Sequence, residues 1–249
     1  MYIDFHTHAN LAKKITVSLE VFKGKMQEAK ESGLTALAIT EHFNSKNIID
    51  LYETLQKEFP YKGEYYEIEG MKVFCGLEID VKETGHFLVI GSRDDILTIA
   101  RLLLAHQKEE NFLPVKDLIE LLADFNVLKI GAHPLRESTP WEHHDSSVLK
   151  QFDAFDLNGK DLYTYGNEIE ERVRTFASQY NVPVVGGSDT HHQLQYGSII
   201  NEFPECESID ELRSTIQKGD YETRISPCID IKVKAANQVK KMIKQTITV

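Results

Sequence analysis

The sequence predicts an α/β fold closed into a barrel, and two observations carry that expectation. Short apolar, strand-like runs alternate with amphipathic, helix-like stretches from the first residues onward. Histidines and carboxylates then fall directly after several of those runs: His6 and His8, Glu41 and His42, Glu78, His133, Asp189 and His191. In closed α/β barrels the C-terminal strand ends converge on one rim, so residues far apart in sequence meet there. With 249 residues and 41% hydrophobic content, the chain is long enough for one such barrel or for two small domains. We read a single domain over 1–249, with a lysine-rich C-terminal segment from about 231.

The elements follow in order. MYIDFH opens as a strand, and a helix is expected from Ser18 as N-cap to Gly33 as stop, with Val21, Phe22, Met26 and Ala29 on one apolar face. LTALAIT reads as a buried strand, Asn47 to Phe59 as a helix, and the polar, tyrosine-rich PYKGEYYEIEG as an excursion. Two strands, MKVFCGLEIDV and HFLVIG, precede helices over Asp94–His106 and Val115–Phe125. The later strands are VLKIGAH, AFDLNG and VPVVGGSD, the last preceded by a helix from Asn167 to Tyr180. The closing IKVKAANQVKKMIKQTITV carries five lysines and no acid. Val239, Met242, Ile243 and Ile247 fall on one helical face, which predicts a packed terminal helix with solvated lysines; the alternative is a surface for a partner or an anion.

Bulk properties exclude several classes. Against 28 Lys+Arg stand 39 Asp+Glu, a net charge of -11, which argues against charge-driven binding to nucleic acid or anionic membranes. An anionic small substrate stays open, because bound metal ions can invert the local field. Cys75, Cys206 and Cys228 form no C-x-x-C pair, so neither a disulfide framework nor a thiolate metal site is indicated, and a reducing cytoplasm is expected. No apolar run approaches the roughly 20 residues that span a bilayer, and the opening residues lack a secretion-signal pattern.

His6 and His8 lie two apart at the end of a strand, where side chains two apart project the same way. GGSDTHH repeats the arrangement with Asp189 and His191 after the apolar VPVV. Nitrogen and carboxylate donors without sulfur suit Zn, Mn or Fe(II), and speak against Cu(I) or a structural zinc finger.

The motifs DFHTH, ITEH, GLEID with a following His86, GAHP and GSDTHH occur in the order of the polymerase and histidinol phosphatase (PHP) superfamily, which the chain resembles over roughly residues 1–197. DLNGKD followed by a helix and VPVVGGSDTH is similar to the later part of PHP-type phosphoesterases. The resemblance implies a distorted (β/α)7 barrel and two to three divalent transition-metal ions. It also implies hydrolysis of a small phosphorylated substrate, a phosphomonoester by preference, by a metal-activated water. Carried over residue by residue, it gives His6, His8, Glu78 and Asp189 to a first ion, Glu78, His86 and His133 to a second, and His42 and His191 to a third. Glu78 then bridges two ions, and Glu78 and Asp189 are the residues on which catalysis depends. Arg136 is a candidate phosphate clamp or a salt-bridge partner.

Asn158 and Lys160 would reach the substrate from DLNGK or simply form a turn, while His143 and His144 read as a surface pair, His106 as structural and His192 as a neighbour of a ligand. The chain departs from the family pattern in ANLAKK, where trinuclear relatives carry a further histidine or acid, and in Glu41-His42, where they carry Asp-His. The third position is therefore expected to be weak without an anionic ligand, with Lys13 or Lys14 replacing part of its charge or remaining solvated. Three other readings compete. One is a non-catalytic metal- or anion-binding regulatory module. Another is an amidohydrolase-type C–N or C–O hydrolase, for which no metal-bridging lysine stands in the expected strand. The last is a phosphodiesterase or exonuclease, against which the acidic charge counts; nucleic acid would then enter only as a short or mononucleotide substrate.

Overall fold

A computed structural model describes residues 1–13 and 18–247 as a mixed α/β fold around a nearly closed, barrel-shaped sheet. Its first half runs β1 (Tyr2–Thr7), α1 (Leu19–Glu31), β2 (Ala36–His42), α2 (Ile48–Glu58), β3 (Tyr61–Lys62), β4 (Tyr65–Ile68), β5 (Met71–Asp80), β6 (His86–Gly91), α3 (Arg93–Leu102) and α4 (Val115–Leu122). The second half runs β7 (Val127–Ala132), α5 (Ser146–Leu149), β8 (Ala154–Asn158), α6 (Gly159–Tyr165), α7 (Glu168–Ser178), β9 (Val184–Gly187), β10 (Ile199–Glu202), α8 (Ile209–Lys218), β11 (Glu222–Ile225) and α9 (Ile229–Ile247). Among the described residues no helix is long and apolar enough to cross a membrane.

The barrel staves follow the order β1-β2-β5-β6-β7-β8-β9, and the end of β9 returns to β1. A parallel bridge between Thr7 and Thr190 closes it, with His8 N donating to Thr190 O at 2.8 Å and Asp189 N to His6 O at 2.9 Å. All neighbours are parallel except β6, which runs antiparallel to both β5 and β7. The reason is the connection: only residues 81–85 separate β5 from β6, too few for a parallel crossover, which needs a dozen or more. The distortion of the barrel thus begins with a short turn.

The segment PYKGEYYEIEG is a β-hairpin rather than an unstructured excursion. β3 pairs with β4, and β4 pairs with the first half of β5 through the two-residue turn Glu69-Gly70, both at positive φ (51° and 76°). Its polar composition hid two good strand formers, Tyr65 and Tyr66, which are buried on opposite sides of the sheet. Further elements, among them α5, β10, α8 and β11, were not foreseen. β10 lies antiparallel to β1 and carries Asn201 across the barrel seam.

Alternation along each stave sorts the core. Ile3, Phe5, Ala36, Ala38, Phe74, Leu88, Ile90, Leu128, Ile130, Ala132, Ala154 and Val185 belong to one buried cluster, with α8 packed against it through Ile209, Leu212 and Ile216. Their strand neighbours Leu37, Ile39, Val73, Cys75, Leu77, Phe87, Val89, Phe155 and Leu157 belong to the other, between sheet and outer helices. α1 begins as expected, with Ser18 Oγ accepting from Val21 N, and Gly33 follows it at φ 94°.

Asn201 is fully buried at the seam: Nδ2 donates to Gly186 O (2.8 Å) and Ile3 O (3.0 Å), and Oδ1 accepts from Gly186 N (2.7 Å) and Thr223 Oγ1 (2.9 Å). Asn201→Ala leaves these backbone groups without partners and is expected to cost about 3 kcal/mol. Urea unfolding measures it as a lowered midpoint at unchanged m; a loss below about 1 kcal/mol would show that the seam is held by other contacts.

Candidate metal centre

The same alternation that builds the core aims the polar residues. On the inward stripe of β2, Ala36 and Ala38 are followed by Thr40 and His42; on β5, Phe74 by Gly76, Glu78 and Asp80; on β8, Ala154 by Asp156 and Asn158; on β9, Val185 by Gly187 and Asp189. β6 runs the other way, so His86 stands at its beginning rather than its end. Three residues, His6, His8 and His133, fall out of phase with their stripes, and the backbone of each strand is irregular there. The β1–β2 register shifts between Asp4 and Thr7, which brings His6 and His8 into line with Ile3 and Phe5. His133, directly after Ala132, takes a left-handed φ of 32°. Asp189 is also left-handed, at φ 57°; such strain in non-glycine residues concentrates at functional sites.

Glu78 is the meeting point. Its Oε1 lies 2.5 Å from His86 Nδ1, 3.3 Å from His133 Nε2 and 3.6 Å from His6 Nε2, and its Oε2 lies 2.9 Å from His42 Nδ1 and 3.4 Å from His8 Nε2. Asp189 Oδ1 stands 3.5 Å from His8 Nε2, 3.5 Å from His191 Nδ1 and 4.0 Å from His6 Nε2. All eight residues expected as ligands therefore converge. They form three groups whose donor atoms lie within 4.8 Å of one another: His6, His8 and Asp189; Glu78, His86 and His133; His8, His42 and His191.

The far side of three of the six rings is fixed. Asp156 Oδ2 holds His6 Nδ1 at 2.9 Å and accepts Asn158 Nδ2 at 2.9 Å; Thr139 Oγ1 lies 3.1 Å from His133 Nδ1; Asp80 Oδ1 lies 2.9 Å from His86 Nε2. Such partners set ring orientation and tautomer, leaving the opposite nitrogen to bind a metal. Gly187 makes room for this packing, because a Cβ there would lie 2.5 Å from both Asp156 Oδ1 and His6 Cβ. Meanwhile His6 Nε2, both nitrogens of His8, His42 Nδ1 and Glu78 Oε2 are buried without a hydrogen-bond partner. Buried polar atoms are rarely left so, and divalent ions among these donors would satisfy them. The donor set, nitrogen and carboxylate without sulfur, fits divalent metal ions.

The electrostatics divide: against burial, neighbouring carboxylates push His6, His8 and His86 up, whereas both carboxylates and two further rings are pushed down. Burial pushes the Glu78 carboxyl up, but His86, His42 and His6 outweigh it and hold it well below the usual carboxylate range. Burial likewise opposes Asp189, which Arg136, His8 and Lys160 hold well below its ordinary value. Burial and Arg136 push His133 well down, and burial and His8 do the same to His191, keeping their lone pairs available.

Other residues take up different positions. The Arg136 fork is occupied within the protein: Nε donates to Asp161 Oδ1 (2.7 Å), and Nη2 donates to Asn158 Oδ1 (2.9 Å) and Asp189 Oδ2 (3.0 Å). Asn158 caps α6, so DLNGK is a helix start rather than a free loop, and Lys160 Nζ lies 3.9 Å from Asp189 Oδ2. Lys13 pairs with Asp80 at 3.1 Å, and Lys14 lies outside the described residues. Glu41 accepts from His42 N, Ser45 Oγ and Asn10 N, so it braces the loops around the site. His143 and His144 bond the carbonyls of Glu83 and Thr84 and strap the β5–β6 turn; His106 bonds Asn111 O, and His192 accepts from Leu194 N.

Sequence reading missed Asp156, Asp80, Thr139 and Lys25. Lys25 is 3% exposed, and its Nζ donates to Ala9 O (2.8 Å), His8 O (2.9 Å) and His191 O (3.3 Å). Burial, against the pull of Glu41, lowers its pKa to about 8. The available signal was its place in the stripe of Phe22, Met26 and Ala29 on α1. Beside the centre opens a cleft of about 420 Å³ lined by Lys13, Asn44, Asp80, His86, Gln107 and Thr139 among others.

The sequence matches the PHP domain family over residues 4–180 and the PHP-associated family over 170–221, and the chain belongs to the PHP domain family. Its fold is similar to that of PsfC from Pseudomonas syringae PB-5123 (TM-score 0.80, 19% identity, covering 97% of this chain and 98% of that one). It is also similar to PfuEndoQ, a lesion-specific endonuclease from Pyrococcus furiosus (0.66, 18%, 90% of this chain but 58% of the other). A two-domain protein from Bacteroides vulgatus containing a predicted PHP-like metal-dependent phosphoesterase shares the fold too (0.55, 16%, 90% and 64%). Comparison with curated proteins finds no match.

Asp156→Asn preserves shape but removes the charge behind His6, and is expected to weaken metal binding about 10- to 100-fold. Titration with Mn(II) or Zn(II), followed by elemental analysis, measures this, with at least two ions expected in the fully loaded parent chain. Fewer than one ion per chain, unchanged by His6→Ala and His8→Ala, would refute the centre.

Proposed function

We propose that this chain hydrolyses a phosphate ester, a small phosphomonoester by preference, using two to three divalent ions of Zn, Mn or Fe. The observation that carries the reading is the shared Glu78 carboxylate, faced by five imidazoles whose inward atoms are largely unpartnered, beside an open cleft. His6, His8 and Asp189 would hold one ion, His86 and His133 a second, and His42 and His191 a weaker third, with Glu78 serving the first two. Bound ions supply positive charge for the phosphoryl oxygens and acidify an attacking water.

The chain's own groups do the rest. Arg136 locks Asp189 in place, and Asp161 and Asn158 lock Arg136 in turn. Asp156, Asp80 and Thr139 orient the rings. The cleft past His86 offers amide, hydroxyl and lysine groups to the leaving alcohol. Among the described residues, Cys75 is buried, with its thiol pushed up by that burial, and the Ser188 hydroxyl pairs with Thr190, so neither is a ready nucleophile.

A screen of phosphorylated metabolites against Mn-, Fe- and Zn-loaded protein, read as released phosphate, tests the reading. Activity is expected to vanish on chelation. Glu78→Gln or Asp189→Asn should lower kcat about 10²- to 10³-fold, the equivalent of several kcal/mol of lost charge stabilisation. Cleavage of diesters alone, including duplex DNA with an abasic site as in the complex of an Endonuclease Q, would replace the monoester reading. Turnover of neither would leave a metal- and anion-binding module.

A further inference from the structure

Helix α9 lies beyond both family-matched ranges, and the stripe it turns to the barrel is not wholly apolar. Ile229, Val233 and Ala236 are buried, and the same stripe continues four and seven residues later to Lys240 and Ile243, both half-buried. The face expected from sequence, through Val239, Met242 and Ile243, is therefore rotated: Met242 is 65% exposed. α9 packs on α6 and on the turn Gln193–Gln195, the segments that directly follow Asn158 and the Asp189–His191 pair. Lys232 anchors it there by donating to Tyr196 O at 2.8 Å.

Lys240 is thus half-buried on a helix that packs beside the segments following Asn158 and the Asp189–His191 pair. Its charge is coupled to Asp189, Glu41, Lys160 and Lys244, and those of Lys25 and His191 are coupled to it. Among the described residues its ammonium makes no hydrogen bond or ion pair. A half-buried, unpaired ammonium beside groups that bind cations is unfavourable unless an anion lies between them. Burial, opposed by Asp189 and reinforced by Lys244 and Lys160, lowers its pKa to about 8, so the site without a ligand works against the charge. Lys160 completes the arrangement: its side chain is 45% exposed and its Nζ is 3.9 Å from Asp189 Oδ2. Arg136 shares this side of Asp189, with its Nε and Nη2 occupied within the protein.

We propose that Lys240 and Lys160 form an anion subsite on the Asp189–His191 side of the centre, which grips the phosphoryl oxygens of substrate and of inorganic phosphate. As a substrate site it rests on the phosphate-ester reading, whereas phosphate binding can be measured without turnover. Calorimetric titration of Mn-loaded full-length chain with inorganic phosphate is the test, run on Lys240→Met, Lys160→Met, Lys240→Arg and, as a control on an exposed position of α9, Lys241→Met. Each methionine variant at 160 or 240 is expected to weaken phosphate binding at least about fivefold, with metal content and melting temperature unchanged in Lys240→Met. Lys240→Arg should remain within about twofold, and Lys241→Met should match the parent. Parent-like binding by Lys240→Met, equal weakening by Lys241→Met, or no phosphate binding by the parent would overturn the subsite. Phosphate binding that depends on Lys240, without turnover of any ester, would uphold the subsite and reject the catalytic reading.

Discussion

The carboxylate of Glu78 presents two oxygens to five imidazoles, and the architecture around it follows from keeping that buried charge in place. A carboxylate that is 2% exposed is strongly disfavoured as an anion unless compensated, and its low pKa shows how far the surrounding rings reverse the effect of burial. Compensation by so many rings requires strands from around the whole barrel to end at one level. His42 comes from β2, His86 from β6, His133 from the end of β7, and His6 from β1. A barrel supplies such convergence because its staves surround a common axis and their inward side chains point at it, so that residues scattered over most of the chain arrive within a few ångströms of one another.

Convergence alone would not aim the side chains. The period of two along a strand places every second residue inward, and each inward stripe here changes from apolar to polar as it approaches the rim. Where sequence spacing and parity disagree, the backbone yields: β1 inserts an irregularity before His6, and His133 adopts a conformation that L-residues disfavour. Both deviations have the same consequence, an imidazole turned toward Glu78. The antiparallel β6 is a third adjustment. It lets a strand enter the barrel from the rim side, so that His86 is its first residue and Asp80 its direct partner on β5.

Much of this was legible in the sequence, because strand ends carrying His-x-His and Asp-x-His announce both an element and its orientation. The order of the motifs picked out eight candidate residues that the fold brings together at one rim, and the barrel class followed from alternating elements. What stayed hidden depended on partners rather than on local pattern. Asp156 looks like any acid inside a strand until His6 is brought 2.9 Å from it. Arg136 reads as a free fork, yet Asp161, distant in sequence, claims its Nε. The Tyr65–Tyr66 hairpin was masked by polar neighbours, and β10 and β11 take their places through pairing with β1 and with each other. Lys25 and Lys240 share one lesson: each occupies a position in a buried helical stripe that pattern reading fills with an apolar residue.

Those two lysines also qualify what a net charge of -11 means. Summed charge describes the field at a distance, where Asp and Glu outnumber Lys and Arg, and says little about a recessed site whose dielectric and geometry select nearby groups. On the Asp189 side of the centre the nearby groups are Arg136, Lys160 and Lys240, with Lys25 behind the backbone of His8 and His191. Only some of these cations are spent on protein carboxylates and carbonyls. The negative sum acts on any anion at long range, whereas these few cations act only within the recess.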